Sequence, residues 1–222
     1  MRHRFVSAAA VLAIVTIAWA AEEFVVEDWK EKIGAAGIPP AWQRQSWGSP
    51  KYEFKVVDND GHAALHMKSA NDGSTITRDI KGKVDLKQTP ILEWTWKVVA
   101  LPKNANSCKK ATDDQAAQVF VVWPRFPEAV RSRILGYVWD TTQPVGTVCK
   151  SEKTGTVTYI VVRSGTAELG QWVAERRNLI EDFTKVYREA PDNPAAVSVA
   201  IDSNDTESSS EAFVGTIEFK RK

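Results

Sequence analysis

Short stretches in which apolar and polar residues alternate run along most of the chain. The clearest is 91–99, where every second residue is apolar. Alternation with period two predicts β-strands, and turn sequences such as Asn71-Asp72-Gly73 separate them. The run 116–123 is almost continuously apolar, which is typical of a strand covered on both faces. Further strands are predicted at 52–57, 63–67, 74–80, 134–139, 156–163, 196–201 and 212–219.

One segment has helical periodicity instead. Its apolar side chains fall on one face of a helix, at Leu179, Ile180, Phe183, Val186 and Tyr187. Asn178 is a suitable N-cap with Glu181 three residues on, and Pro191 ends the segment. About ten short strands with one helix in the C-terminal half predict a mainly β fold, a two-sheet sandwich of the jelly-roll type.

The first 20 residues have the pattern of a signal peptide. Arg2 and Arg4 precede an uncharged apolar segment, 5–19, and Ala18-Trp19-Ala20 is a small-x-small cleavage site. We therefore predict cleavage of 1–20, a mature chain of 21–222 that forms a single sandwich domain, and a periplasmic or secreted location. The alternative is an uncleaved anchor helix, although the apolar run is shorter than a bilayer span.

Composition excludes several functional classes. The chain is 43% apolar and 26% charged with a formal net charge of +1, which indicates a globular protein without a nucleic-acid partner. No further run is long enough to span a membrane. Only Cys108 and Cys149 are available as thiols, and in an oxidising compartment they are expected to form a disulfide. Two separate reduced thiols are the alternative.

An acidic segment, 202–206, follows the predicted strand 196–201. Its side-chain oxygens at Asp202, Asn204 and Asp205 are ligands that a hard cation such as Ca²⁺ accepts. The spacing is not that of an EF-hand. A polar turn whose side chains bond to their own backbone is the alternative interpretation.

A second group of candidates surrounds the adjacent carboxylates Asp113 and Asp114. Neighbouring carboxylates repel, so a cation or an arginine such as Arg133 is an expected partner. Solvated ion pairs are the alternative. Trp139 is a candidate aromatic platform for a sugar ring. Trp42 and Trp47 lie in a Pro- and Gly-containing loop and are either exposed platforms or a lid on the sandwich.

Several segments together resemble the DUF3047 domain family of bacterial exported proteins, over most of 24–220. They are Leu92-Glu93-Trp94-Thr95-Trp96-Lys97, Asp113-Asp114-Gln115-Ala116-Ala117, Tyr137-Val138-Trp139, Val161-Val162-Arg163-Ser164-Gly165, Gln171-Trp172-Val173, Asp202-Ser203-Asn204-Asp205-Thr206 and Gly215-Thr216-Ile217-Glu218-Phe219. The resemblance implies a bacterial source and a fold similar to galactose-binding-like jelly rolls. It implies no activity.

These patterns favour an exported, non-catalytic binding module for a carbohydrate or another polar envelope ligand. The candidate ligand-binding residues are Asp113, Asp114, Arg133, Trp139, Asp202, Asn204 and Asp205. One alternative is a structural or partner-binding envelope protein without a small-molecule site. Another is an enzyme acting on polysaccharide, with Asp113 or Asp114 and Asp202 or Asp182 as the two carboxylates.

Overall fold

The computed structural model describes residues 23–222, so the predicted signal peptide lies outside the described residues. Within them, the chain forms thirteen strands and two α-helices. The strands are β1 (Phe24–Glu27), β2 (Gln43–Arg44), β3 (Glu53–Asn59), β4 (His62–Ala70), β5 (Gly73–Asp79), β6 (Ile91–Ala100), β7 (Ala117–Trp123), β8 (Arg133–Asp140), β9 (Val148–Lys150), β10 (Val157–Ser164), β11 (Val173–Asn178), β12 (Ala196–Asp202) and β13 (Ser209–Lys220). The helices are α1 (Glu128–Arg131) and α2 (Leu179–Tyr187).

The strands form two sheets. The six-stranded sheet has the order β11-β6-β13-β4-β3, with β1 beside β13, and the seven-stranded sheet has the order β2-β5-β12-β7-β8-β10-β9. The chain changes sheet between successive strands from β4 to β7 and again from β11 to β13. The resulting half-sheets, β4-β13-β6-β11 and β5-β12-β7-β8, have the strand order of a jelly roll. The predicted mainly β, two-sheet jelly roll is therefore confirmed.

The core lies between the sheets, where the alternating residues of facing strands meet. Trp94 and Trp96 of β6 pack on Tyr137 and Trp139 of β8, with ring centroids 5.2 and 6.0 Å apart respectively. All four side chains are almost fully buried. Burial of each such side chain stabilises the fold by about 1.5–3 kcal/mol, which explains why the period-two pattern identifies these strands.

The single long helix, α2, begins where the sequence predicts. The Asn178 side chain accepts hydrogen bonds from the backbone N–H groups of Ile180 (3.2 Å) and Glu181 (3.4 Å). Phe183 packs on Trp123 of the seven-stranded sheet, with ring centroids 4.7 Å apart. The helix thus packs its apolar face against the core. No helix within residues 23–222 is long and apolar enough to cross a membrane.

Cys108 and Cys149 form a disulfide, which confirms the predicted pair. The bond joins the long loop between β6 and β7 to the edge strand β9, with the two Cα atoms 5.7 Å apart. It therefore fixes the loop that carries Asp113 and Asp114 against the edge of the seven-stranded sheet.

Candidate functional site

A groove of about 920 Å³ lies on the outer face of the seven-stranded sheet. Its floor extends over β5, β12, β7, β8 and β10, and loops from one end of the sandwich form its rim. Because neighbouring strands are about 4.8 Å apart, the four gaps between β5 and β10 make the floor about 19 Å wide. This volume lies in the range of ligand-binding clefts.

Half of the floor is apolar. Val157 and Tyr159 of β10 belong to a small cluster, separate from the main core, against which Phe120 and Ile134 pack. Phe120 and Tyr159 cover Gly136, where an added Cβ atom would lie 2.7 Å from the Phe120 ring. The glycine therefore allows the two aromatic rings, which are tilted by 50° to each other, to approach the backbone of β8 closely.

The other half of the floor carries hydroxyl and amide groups. Thr77 Oγ1 and Ser198 Oγ are 2.8 Å apart, and Thr75 stands next to them on β5. Gln118 Nε2 on β7 donates to Asp202 Oδ1 at 3.0 Å. Hydroxyl groups both donate and accept hydrogen bonds, so this surface matches a ligand rich in hydroxyl groups.

Trp47 stands on the rim with 63% of its surface exposed. The buried Gln45 side chain holds the surrounding loop, because its Oε1 accepts from Thr75 N (2.6 Å) and its Nε2 donates to Trp47 O (2.8 Å). Trp42 differs, since it is buried and stacked on Trp29 with ring centroids 5.4 Å apart. Of the two loop tryptophans, only Trp47 is an exposed platform.

Two carboxylates lie at one end of the groove. Asp113 accepts hydrogen bonds from Gln115 Nε2 (2.8 Å), Ser151 Oγ (3.2 Å) and Tyr159 OH (3.4 Å). Asp202 Oδ1 accepts from Gln115 N (2.5 Å) as well as from Gln118.

Burial raises the pKa of both groups. For Asp113, the hydrogen bonds from Gln115 and other donors oppose the effect of burial. For Asp202, the neighbouring carboxylate of Asp114 adds to burial, and the pKa lies well above its ordinary value. Burial and Asp113 likewise raise the pKa of Tyr159 well above its usual range, so this hydroxyl remains a proton donor.

Asp114 is not one of the residues that line the groove. Its fully buried carboxylate accepts from Asp205 N, Thr206 N and Thr206 Oγ1 at 3.1, 2.7 and 2.6 Å. Asp205 in turn forms an ion pair with Lys153. Asn204 lines the groove, and its Nδ2 donates to Asp205 Oδ1 at 3.1 Å.

The three residues predicted as calcium ligands, Asp202, Asn204 and Asp205, all have partners within the protein. Asp202 is bonded to donors on β7 and the loop before it, whereas Asp205 faces Lys153. Among residues 23–222, no group of three or more His, Cys, Asp or Glu side chains is arranged to hold a metal ion. The polar groups of this segment thus bond mainly to residues outside it.

Three other candidates lie outside the groove. Trp139 is fully buried in the core and its Nε1 donates to Gly165 O at 3.1 Å, so it offers no face to a ligand. Arg133 pairs with Glu189 at 3.3 Å, on the opposite side of the sheet from the groove floor. Asp182 is bonded to Arg177 and Tyr137 within the sandwich.

The structure thus brings Asp113, Asp202 and Asn204 together in the groove with Trp47. Most of the floor is formed by residues that were not predicted from the sequence, namely Thr75, Thr77, Gln118, Phe120, Tyr159 and Ser198. For Gln118 and Phe120, a signal was present in the almost continuously apolar run 116–123. One face of β7 packs in the core, and the other, with Gln118 and Phe120, lines the groove. The prediction that this strand is covered on both faces therefore holds only for the face that packs in the core.

Several solved structures share a similar arrangement of strands. A family 11 carbohydrate-binding module from Clostridium thermocellum, in complex with a β-1,3-1,4-mixed-linked tetrasaccharide, has 12% identity and a TM-score of 0.46, over 90% of this chain and 95% of that chain. The xyloglucanase domain of NopAA from Sinorhizobium fredii has 10% identity and a TM-score of 0.44, over 82% and 93%. The K3 cleaved adhesin domain of Lys-gingipain from Porphyromonas gingivalis has 13% identity and a TM-score of 0.40, over 90% and 99%.

At these identities and TM-scores, the similarities assign neither a ligand nor an activity to this chain. None of the curated proteins matches the chain in sequence. A family match does extend over most of it, because the family DUF3047, described as "Protein of unknown function", matches residues 40–218. This chain therefore belongs to the DUF3047 family.

Proposed function

We propose that this protein is a non-catalytic binding module that holds an extended carbohydrate chain in the groove of the seven-stranded sheet. The observation that carries the proposal is the pairing of an exposed indole, Trp47, with a floor of hydroxyl and amide groups. A sugar ring has an apolar face and a rim of hydroxyl groups. The groove offers a complementary surface to each.

The dimensions of the groove favour a polymer over a single sugar. The floor is about 19 Å across, which is more than a single sugar ring covers. The rim at Trp47 is fixed before binding, because Gln45 ties its loop to β5. A rigid site loses less conformational entropy when the ligand binds. We therefore expect Gln45→Ala, which releases the loop that carries Trp47, to weaken binding.

We also propose that the protein acts in the periplasm or is secreted, after cleavage of residues 1–20. The Cys108–Cys149 disulfide supports this location, because disulfides persist in oxidising compartments. The ligand would then be a glycan of the cell envelope or of the surroundings.

The test is a binding screen against polysaccharides and oligosaccharides, followed by calorimetry on the wild type and two variants. Trp47→Ala is expected to weaken binding about tenfold, the loss of one aromatic stacking contact. Ile33→Ala removes another exposed apolar side chain and is expected to bind as the wild type does. Both variants should unfold at the wild-type temperature.

Two results would contradict the proposal. One is the absence of binding to any glycan, which would favour a structural or partner-binding envelope protein. The other is an unchanged affinity in Trp47→Ala, which would locate the glycan elsewhere.

A second candidate function is hydrolysis of the bound glycan. The observation in its favour is that Asp113 and Asp202 both line the groove and both have a raised pKa. A carboxyl group that stays protonated can act as a general acid. If the wild type releases reducing ends from the glycan and both Asp113→Asn and Asp202→Asn do not, the protein is an enzyme. Binding without release would leave the module non-catalytic.

A further inference from the structure

A second pocket, of about 470 Å³, lies where the last turn of α2 meets the edge of the seven-stranded sheet. Thr156 and Thr158 line this pocket, whereas Val157 and Tyr159 line the groove. Because neighbouring residues of a strand point to opposite faces, the pocket and the groove lie on opposite sides of β10. The pocket is therefore a separate site.

Four cationic side chains line the pocket, and no carboxylate does. They are Arg133, Lys150, Lys185 and Arg188. Within residues 23–222, the last three make no ion pair, while Arg133 shares Glu189 with Arg125. The formal net charge of the whole chain is only +1, so this local excess is not a property of a generally basic protein. Like charges held together repel unless an anion neutralises them.

Arg133 is the member whose position is fixed. Its Nε donates to Glu189 Oε1 at 3.3 Å, and its guanidinium carbon lies 4.9 Å from the centre of the Tyr187 ring. In the described part of the chain, its two terminal nitrogens donate no hydrogen bond. An arginine fork anchored at Nε presents its remaining N–H groups in the geometry that suits a phosphate or carboxylate oxygen.

The dipole of α2 is a simpler explanation for part of this cluster. Cations near the C-terminal end of a helix are favourable, which accounts for Lys185 and Arg188 without any ligand. It does not account for Lys150 on β9 or Arg133 on β8, which come from the sheet. Cations from the helix and from the sheet thus line the same pocket.

We propose that this pocket binds a phosphate or sulfate ester group. Such a group carries enough charge to neutralise the cations of the pocket, and the Thr156 hydroxyl can donate to its oxygens. The volume exceeds that of the anion alone. Val148 and Val186 line the rest of the pocket, so they would contact the organic part of the ester. The proposal does not depend on glycan binding in the groove.

The test is calorimetry at low salt with inorganic phosphate, inorganic sulfate, glucose 6-phosphate and glucose as probes. The wild type is compared with Lys150→Gln/Lys185→Gln, in which two exposed side chains without ion pairs lose their charge. Lys83→Gln/Lys87→Gln removes the same charge from an exposed turn elsewhere. We expect an anionic probe to bind, and glucose not to bind. The affinity should fall about tenfold or more in the first variant and stay unchanged in the second.

The four probes also distinguish an ester from a free inorganic anion as the ligand. Tighter binding of glucose 6-phosphate than of inorganic phosphate would assign the pocket to an ester, and the reverse order to a free anion. The absence of saturable binding by every anionic probe would overturn the proposal. So would an equal loss of affinity in the two lysine variants, since this would show a general effect of charge.

Discussion

Replacing Asp114 by alanine separates a structural role for this carboxylate from the ligand-binding role that its sequence position favours. The side chain is fully buried and accepts three hydrogen bonds, from Asp205 N, Thr206 N and Thr206 Oγ1. When a buried donor loses its charged acceptor, the free energy of unfolding falls by about 1–3 kcal/mol. Because Asp205 and Thr206 are partly exposed, water replaces some of these bonds. We expect a loss of about 3 kcal/mol in the free energy of unfolding.

The assay is urea unfolding followed by tryptophan fluorescence and circular dichroism. Asp114→Asn keeps one oxygen acceptor but loses the charge, and is expected to cost about half as much as the alanine variant. Asp192→Ala removes a carboxylate that is 88% exposed, and is expected to change the free energy of unfolding by less than about 0.5 kcal/mol. The glycan affinity of the folded fraction should be nearly unchanged in Asp114→Asn.

The opposite pattern would refute this reasoning. If Asp114→Ala unfolds at the wild-type urea concentration but no longer binds glycan, the carboxylate serves the ligand. The turn 202–206 would then not depend on it.

Three further predictions concern the disulfide, the acidic end of the groove and its floor. Replacing Cys108 and Cys149 by serine should lower the free energy of unfolding by about 4 kcal/mol in urea, because the bond closes a loop with a sequence separation of 41 residues; a loss below about 1 kcal/mol would contradict the loop-entropy account. Asp202→Asn should raise the urea midpoint at pH 7, because burial raises the pKa of Asp202 and ionisation therefore destabilises the folded state. This gain should vanish below about pH 4, which is the pKa of an aspartate in the unfolded chain. An equal gain at pH 7 and below pH 4 would count against a raised pKa of Asp202 in the folded protein. Gly136→Ala should displace the Phe120 ring, cost about 1–3 kcal/mol and weaken glycan binding; wild-type stability and affinity would show that the floor adapts.

The strands that follow the period-two rule could be predicted because one of their faces packs in the core. β11 could not, since its inward-facing positions are charged. Glu175 and Arg177 of this strand form ion pairs with Arg163 and Asp182. Paired charges at partly buried positions remove the apolar alternation on which the prediction depends.

The candidate site could be predicted only in part, for a related reason. Asp113 precedes β7 and Asp202 ends β12, and these two strands are neighbours in the seven-stranded sheet. Their positions near strand ends therefore indicated that the two carboxylates lie close together. The assignment of Trp139 was wrong, because alternation shows which residues share a face but not which face is turned to solvent. Trp139 lies in the core, whereas Phe120 on the neighbouring strand lines the groove.

The central claim is that a glycan chain lies across the outer face of the seven-stranded sheet. The most direct measurement is a titration of the ¹⁵N-labelled protein with an oligosaccharide found in the screen, followed by amide chemical shifts. We expect shifts confined to the groove strands β5, β12, β7, β8 and β10 and to the loop that carries Trp47. Shifts confined to the six-stranded sheet would contradict it.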